Sequence, residues 1–214
     1  NYIKYFEADG SELETQLIPE SKKSYTLKNN DLSSLTGCNV SKWKDQNGKL
    51  YYPFSELDNS GSDLELTAVY NIPVVVYLPD GSIYQTMIVG YSDEVSIPSF
   101  EEENGYIGWS YKDDKENIHN EASIFAEKKS DIVIRSRYKA TFTNTYVPES
   151  SFTQEFLLDK GLTISKKAVT QREGFIALGW SNEDVAYTSS STRVMPTESA
   201  EFNALYIPKE YAGD

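Results

Sequence analysis

Residues 174–181 read GFIALGWS, and two related words occur upstream of them in the same chain. These words are GYIGWS at residues 105–110 and GCNVSKW at residues 37–43. Their tryptophans, Trp43, Trp109 and Trp180, lie 66 and 71 residues apart. A marker that recurs with a period of about 70 residues is typical of tandem copies of one structural unit.

Each tryptophan is followed, 26 to 29 residues later, by a tyrosine that ends a run of alternating residues. The runs are LTAVY at residues 66–70, IRSRY at 134–138 and FNALY at 202–206. Apolar or small residues at every second position predict a strand with one buried face. We therefore expect Tyr70, Tyr138 and Tyr206 to be equivalent. In the second run, we expect Arg135 and Arg137 to face solvent.

A short polar segment and a glycine precede each tryptophan. The glycines are Gly37, Gly105 and Gly174, and the segments before them cover residues 30–35, 98–104 and 165–173. Caps, acids and proline in these segments predict a helix of one or two turns closed by a left-handed glycine. Such a helix is too short to be stable alone, so it must pack on a sheet.

The first strands of the copies are predicted to end in hairpins. Asp-Gly-Ser occurs at residues 9–11 and 80–82, in each case after a strand-like run, and Asp-Gly is a strong hairpin signal. The third copy has VPESS at residues 147–151 instead, which predicts a longer connection. Each copy then consists of strand, turn, strand, short helix, glycine, tryptophan strand, variable loop and closing strand.

These markers divide the chain into three modules, at residues 1–72, 73–140 and 141–214. The alternative is a single β-sandwich with evenly spread tryptophans. That alternative does not explain why glycine, tryptophan and tyrosine recur in the same order.

The glycine–tryptophan words of the second and third copies resemble the Gly-Tyr/Phe-x-x-x-Gly-Trp-x word of the Listeria–Bacteroides repeat, also called the internalin B-repeat. Residues 63–70, DLELTAVY, are similar to that family's Leu-x-Leu-x-Ala-x-Trp/Tyr ending. The resemblance implies an α+β, mainly β fold of three tandem β-grasp-like modules, each a small sheet with a short helix. It also implies a place in bacterial cell-surface proteins, no catalytic residues, and a core role for the tryptophans.

The match to the family's word is uneven among the copies. The first copy lacks the aromatic residue and the second glycine, and the second copy is two residues shorter between its glycine and its tryptophan.

Charge and composition exclude several kinds of partner. The net charge of −13 divides into −4, −5 and −4 over the three modules, without a cluster of Lys and Arg. We therefore expect no nucleic-acid partner and no anionic membrane surface. The single cysteine, Cys38, excludes an intrachain disulfide, and no run approaches the roughly 20 apolar residues of a membrane span. We expect a monomer.

Residues that could carry catalysis do not converge in the sequence. His119 is the only histidine, in a polar segment, and a catalytic site around it would need Cys38 from another module. We interpret His119 as a solvated loop residue. Residues 58–63, DNSGSD, resemble a calcium loop only in composition and are interpreted as a solvated turn. We predict no catalytic, cofactor-binding or metal-binding residues, no cofactor and no enzyme activity.

The leading hypothesis is a stalk or adhesion segment of an exported bacterial surface protein. The chain starts at Asn1 without a signal peptide, so we interpret it as part of a longer extracellular protein whose signal and anchor lie outside it. The alternative is a module that binds a glycan or a host or cell-wall protein through the variable loops after each tryptophan. Exposed rings could serve that role, and the candidates are Tyr51, Tyr52, Tyr84, Tyr91, Tyr111 and Tyr187.

Overall fold

The computed structural model describes residues 1–29, 31, 33–102 and 105–213, and this part of the chain is almost entirely β-structure. Strands account for 54% of it, and it contains no α-helix. The prediction of an α+β fold in which each β-grasp-like module carries a short helix is therefore wrong.

The first seven strands form one unit, here called unit 1. They are β1 (Tyr2–Phe6), β2 (Glu12–Leu17), β3 (Ser24–Thr26), β4 (Val40–Asp45), β5 (Leu50–Tyr51), β6 (Glu56–Asp58) and β7 (Leu64–Tyr70). Five of them form a mixed sheet in the order β2-β1-β7-β4-β5, in which β1 and β7 are parallel and the other neighbours antiparallel. Strands β3 and β6 pair as a separate antiparallel ladder.

The remaining strands repeat this scheme twice. Unit 2 contains β8 (Ile72–Tyr77), β9 (Ile83–Val89), β10 (Asp93–Ser96), β11 (Tyr106–Tyr111), β12 (Asp114–His119), β13 (Ser123–Ala126) and the first part of β14 (Ser130–Thr143). Unit 3 contains the second part of β14 with β15 (Phe152–Leu157), β16 (Leu162–Ser165), β17 (Phe175–Asn182), β18 (Val185–Tyr187), β19 (Ser191–Val194) and β20 (Ala200–Pro208).

The strand pairings of units 2 and 3 correspond one by one to those of unit 1. In each unit the first strand pairs antiparallel with the second and parallel with the closing strand. The closing strand pairs with the tryptophan strand, and the third and sixth strands form their own ladder.

Units 2 and 3 share one continuous strand. The first part of β14 closes unit 2 by pairing with β8 and β11, and its second part opens unit 3 by pairing with β15 and β20. The sheets of these two units therefore merge into one sheet of nine strands. The predicted boundaries at 72/73 and 140/141 fall inside β8 and β14. The division into three domains stays a prediction.

The strand register corrects one of the predicted equivalences. The tryptophans lie opposite Ala68, Ile134 and Ala204. Tyr70 and Tyr206 are therefore equivalent to Ser136, and the prediction of Tyr138 is wrong by two residues. A strand pattern of period two is unchanged by a shift of two residues, so hydrophobic alternation does not distinguish these registers.

Both Asp-Gly-Ser turns close hairpins, as predicted. Gly10 and Gly81 each have a φ of 88°, a conformation that glycine adopts without steric cost. In both turns the aspartate Oδ1 accepts a hydrogen bond of 2.9 Å from the serine N–H two residues later. The serine hydroxyl and N–H lower the pKa of Asp9 and Asp80. In unit 3 a 3-10 turn at Pro148–Ser150 makes the connection longer, which was also predicted.

The predicted left-handed glycines are confirmed, whereas the described residues before them form no α-helix; residues 30, 32, 103 and 104 of the predicted helical segments lie outside the described part of the chain. Gly37, Gly105 and Gly174 have φ values of 69°, 80° and 75°. The N–H of Gly37 bonds to the carbonyl of Ser33 at 2.9 Å, and the Ser33 hydroxyl accepts the N–H of Thr36 at 3.2 Å, which completes a single capped turn.

In unit 3 the predicted helical segment contains only a 3-10 turn at Lys166–Ala168, followed by the extended and buried Val169. One turn supplies too few hydrogen bonds to overcome the cost of helix nucleation. The chain therefore continues into extended structure.

The hydrophobic core has two parts. One continuous cluster of buried side chains spans units 1 and 2, and a second cluster fills unit 3. Unit 3 thus has its own core although its sheet continues that of unit 2.

Candidate functional site

The three tryptophans are core residues, as predicted. Trp43, Trp109 and Trp180 are 1%, 2% and 0% exposed. Each indole N–H donates to a backbone carbonyl, that of Lys28 at 2.8 Å, Glu121 at 2.9 Å and Ser165 at 3.1 Å. Their rings are therefore unavailable for stacking on a ligand.

A second ring packs against each tryptophan. Tyr5 and Phe142, at equivalent positions of β1 and β14, meet Trp43 and Trp180 edge-on, with ring centroids 4.9 Å and 5.0 Å apart. Such edge-to-face pairs add stability beyond the burial of their surface. The equivalent residue in unit 2 is Val76, which has no ring.

In unit 2, the rings of His119 and Tyr111 pack against the tryptophan instead. His119 lies on β12 directly opposite Trp109 and stacks on the indole with centroids 4.5 Å apart. Its Nδ1 is 3.6 Å from a carboxylate oxygen of Glu121. The prediction of a loop residue is therefore wrong, because His119 lies on a strand and one face of its imidazole covers the tryptophan, although its side chain is still 32% exposed.

The other reactive side chain, Cys38, packs on the core of unit 1 with its Sγ 3.7 Å from the carbonyl of Thr36. No hydrogen bond in the described part of the chain joins Cys38 to His119. The structure therefore does not assemble these two residues into one site.

The calcium-like segment at residues 58–63 ties the start of the chain to β7. The Asn59 side chain accepts from Asn1 at 3.1 Å and donates to the carbonyl of Lys22 at 2.8 Å. Asp63 Oδ1 accepts the N–H of Tyr2 at 2.9 Å. Within the described ranges, no group of three or more His, Cys, Asp or Glu side chains is placed to hold a metal ion.

Sequence reasoning missed a buried polar pair that occurs in units 1 and 3. Glu7, 5% exposed, accepts hydrogen bonds from the hydroxyls of Ser33, at 2.7 Å, and Tyr70. At the equivalent place in unit 3, Asn144 donates to the hydroxyl of Tyr206 at 2.8 Å. Burial, followed by the Glu7 carboxylate, raises the pKa of Tyr70.

The sequence indicates this pair through two positions that change together from one copy to the next. In unit 2 the residue after the first strand is Leu78, and the position of the tyrosine is held by Ser136. The polar residue and the tyrosine are therefore lost together. The two-residue error in register concealed this correlation.

An ion-pair cluster joins units 2 and 3. Arg135, 4% exposed, bonds to Asp159 at 2.8 Å, and Lys115 lies 3.7 Å from the same carboxylate. Arg137 pairs with Glu155 at 3.2 Å. The prediction that Arg135 faces solvent is wrong, because unit 3 covers it.

Two opposing effects act on the Asp159 carboxyl. Its partial burial raises the pKa, but the hydrogen bond and charge of Arg135, with a smaller contribution from Lys115, outweigh burial. The pKa of Asp159 therefore lies below its ordinary value.

The six candidate tyrosines differ in exposure. Tyr52 and Tyr84 are exposed, and the other four are partly buried. Tyr51 donates to Asp45 at 3.0 Å, Tyr111 contacts Trp109, and Tyr187 packs against Phe202. Cross-strand packing therefore accounts for most of the rings.

The exposed Tyr52 belongs to the loop after Trp43. Phe54 in the same loop is also exposed to solvent. The two side chains are 67% and 65% exposed. Phe54 has a φ of 63°, a left-handed conformation that is rare for a bulky residue and that stores strain. This loop is the strongest candidate contact surface among those that follow the tryptophans.

No protein-family model matches the chain, and no curated protein resembles it significantly in sequence. Among the described residues, no helix has the length and apolar character needed to cross a membrane.

Proposed function

We propose that the chain is the non-catalytic repeat region of an exported bacterial surface protein and acts as a stalk or adhesion segment. One observation carries this proposal: the same strand-pairing scheme occurs three times in tandem. Repeat arrays contact mainly their sequence neighbours and extend in one direction, which suits a spacer.

The exposed surface supports an extended arrangement. The chain exposes 13035 Å², whereas a compact globular protein of its 24.2 kDa exposes about 10,000 Å². An excess of this size favours an elongated arrangement of the three units over a compact one. An acidic charge divided evenly among the units keeps such a surface soluble.

The connection between units 2 and 3 supports a stiff rather than a flexible spacer. Strand β14 runs through both units, and the Arg135–Asp159 pair locks them at its side. Domains joined by a flexible linker move independently, whereas a shared strand holds two units at a fixed relative orientation.

The proposed location comes from the resemblance of the glycine–tryptophan words to the Listeria–Bacteroides repeat. It is tested by labelling intact cells of the producing bacterium with an antibody fragment raised against the purified chain. The proposal predicts labelling of intact cells and its loss after brief treatment with an external protease. Labelling only after the cells are lysed contradicts it.

A second candidate function is binding of a glycan or of a host or cell-wall protein through the loop of Tyr52 and Phe54. The observation in its favour is the strained, exposed Phe54. A glycan array and a pull-down with the intact chain test it, with the double variant Tyr52→Ser/Phe54→Gly as the control. Binding that survives in the double variant, or no binding by the intact chain, counts against this role.

A further inference from the structure

The second strand of every unit is the edge of a sheet. Among the described residues, strands β2, β9 and β15 each pair with one neighbour only, namely β1, β8 and β14. The other side of such a strand presents unpaired N–H and C=O groups that can hydrogen-bond to another chain.

Strand β9 differs from the other two in its side chains. Its sequence, IYQTMIV, contains no charged residue, and Ile83, Tyr84 and Ile88 are 63%, 50% and 61% exposed. By contrast, β2 carries Glu12 and Glu14, and β15 carries a glutamate. Charged residues on an edge strand discourage pairing with a further strand, and β9 lacks this protection.

The hairpin fixes which backbone groups of β9 face outward. The N–H of Leu78 bonds to the carbonyl of Ser82 at 2.8 Å, so Leu78 faces β9. Because the direction alternates along β8, Val75 and Pro73 face away from β9. Proline has no N–H to contribute to either ladder, which agrees with this assignment.

The residues of β9 opposite Val75 and Pro73 are Thr86 and Ile88. Their N–H and C=O groups therefore point away from β8, toward solvent. They form a short hydrogen-bonding edge beside exposed apolar side chains.

From these features we infer, in place of the monomer expected from the sequence, that β9 is the contact strand of a symmetric dimer, in which it pairs antiparallel with β9 of a second copy. A twofold axis near Thr86 brings the outward backbone groups of both copies together and leaves the exposed Ile88 at the contact. An isologous contact must be compatible with itself. In a chain of net charge −13, an uncharged strand meets itself without the repulsion between like charges.

The repeat supplies matched control positions for the test. Leu17, 79% exposed, pairs with Tyr2 as Ile88 pairs with Pro73, so the two are equivalent. Thr15 corresponds to Thr86 in the same way.

The experiment is sedimentation equilibrium of the full chain over a range of micromolar concentrations. We expect the wild type to dimerise. Ile88→Lys places a charge at the contact, and Thr86→Pro removes an N–H donor that points toward the second copy. Each of these variants is expected to dimerise at least about tenfold more weakly, whereas Leu17→Lys and Thr15→Pro dimerise as the wild type does. Thermal unfolding followed by circular dichroism checks that all four variants fold.

Three results overturn the inference. The first is a wild type that stays monomeric at all concentrations, which leaves the edge for a strand of another protein or for none. The second is a dimer that the β9 variants do not weaken relative to the β2 variants. The third is open-ended aggregation of the wild type, because a twofold contact closes at two copies.

Discussion

At the scale of single residues, the tryptophan of each unit combines a buried indole, a hydrogen bond to a carbonyl and a contact with a second ring. The word around each tryptophan was recognisable in the sequence because it has this structural role. The identity of the second ring was not, since Tyr5 and Phe142 come from the first strand of their units whereas His119 comes from the strand after the tryptophan.

Truncation of one tryptophan should unfold its own unit. Trp180→Ala is expected to cost about 3–5 kcal/mol, because it removes a fully buried ring and leaves a cavity. Since unit 3 has a separate core, urea unfolding should show a new early transition that covers only part of the signal. Tyr211→Ala is the control, because that ring is 70% exposed. A cost below about 1 kcal/mol for Trp180→Ala contradicts a core role.

The pair of Arg135 and Asp159 gives a prediction about pH. The pKa of Asp159 is lowered in the folded state, so the pair stabilises the protein above the unfolded-state pKa, near 3.9. This stability is lost as pH falls from that value through the lower folded-state pKa.

Urea unfolding at a series of pH values measures this contribution. Asp159→Asn leaves Arg135 buried without a charged partner, so we expect a loss of about 3 kcal/mol at pH 7. The difference from the wild type should shrink toward pH 2. A difference that is the same at both pH values shows that the charge of Asp159 is not involved.

At the scale of elements, hydrophobic alternation and turn residues predicted the strands and hairpins well. Asp-Gly-Ser predicted two hairpins, because glycine in the left-handed region and a side-chain hydrogen bond specify the turn locally. The prediction of short helices was wrong, because the conformation of a one-turn segment depends on the residues that pack against it. Packing on the sheet determines the conformation around Gly37, and the local sequence carries no information about that packing.

The β-bulge before the tryptophan of unit 3 gives a prediction at this scale. Gly179 has a φ of 142°, and an added Cβ would lie 2.0 Å from the carbonyl oxygen of Tyr187. Gly179→Ala must therefore push β17 away from β18, and we expect it to cost at least about 2 kcal/mol in urea unfolding.

The matched control for this change is Gly10→Ala. Gly10 also has a positive φ, but a Cβ there meets nothing within 4 Å. Its cost should be limited to the backbone strain of about 1 kcal/mol. Equal costs at the two glycines would falsify the assignment of a steric clash at Gly179.

Arg135 shows why the ion-pair cluster between units 2 and 3 was not predictable. Alternation within residues 134–138 places Arg135 on the face opposite Ile134, and an isolated unit would leave that face in water. The next unit covers it and supplies Asp159 from the turn after β15. The hydrophobic alternation of one strand does not indicate which of its residues will be covered by a neighbouring unit.

At the scale of the whole molecule, the repeated pairing scheme accounts for both the large exposed surface and the continuous strand β14. The proposed stalk requires the units to follow one another in one direction, so that the ends of the chain lie far apart. The period of the tryptophans predicts three modules, and the strand-pairing scheme recurs three times, but the division of the chain into three domains stays a prediction. The merging of units 2 and 3 into one sheet was not anticipated, because strand continuity depends on backbone pairing.

Small-angle X-ray scattering coupled to size exclusion tests most directly whether the three units form an extended array. The Ile88→Lys variant should be used beside the wild type, so that pairing through β9 does not lengthen the particle. The account predicts a radius of gyration well above the ~17 Å of one compact domain of 214 residues, with an asymmetric distance distribution. A value near ~17 Å with a symmetric distribution contradicts it.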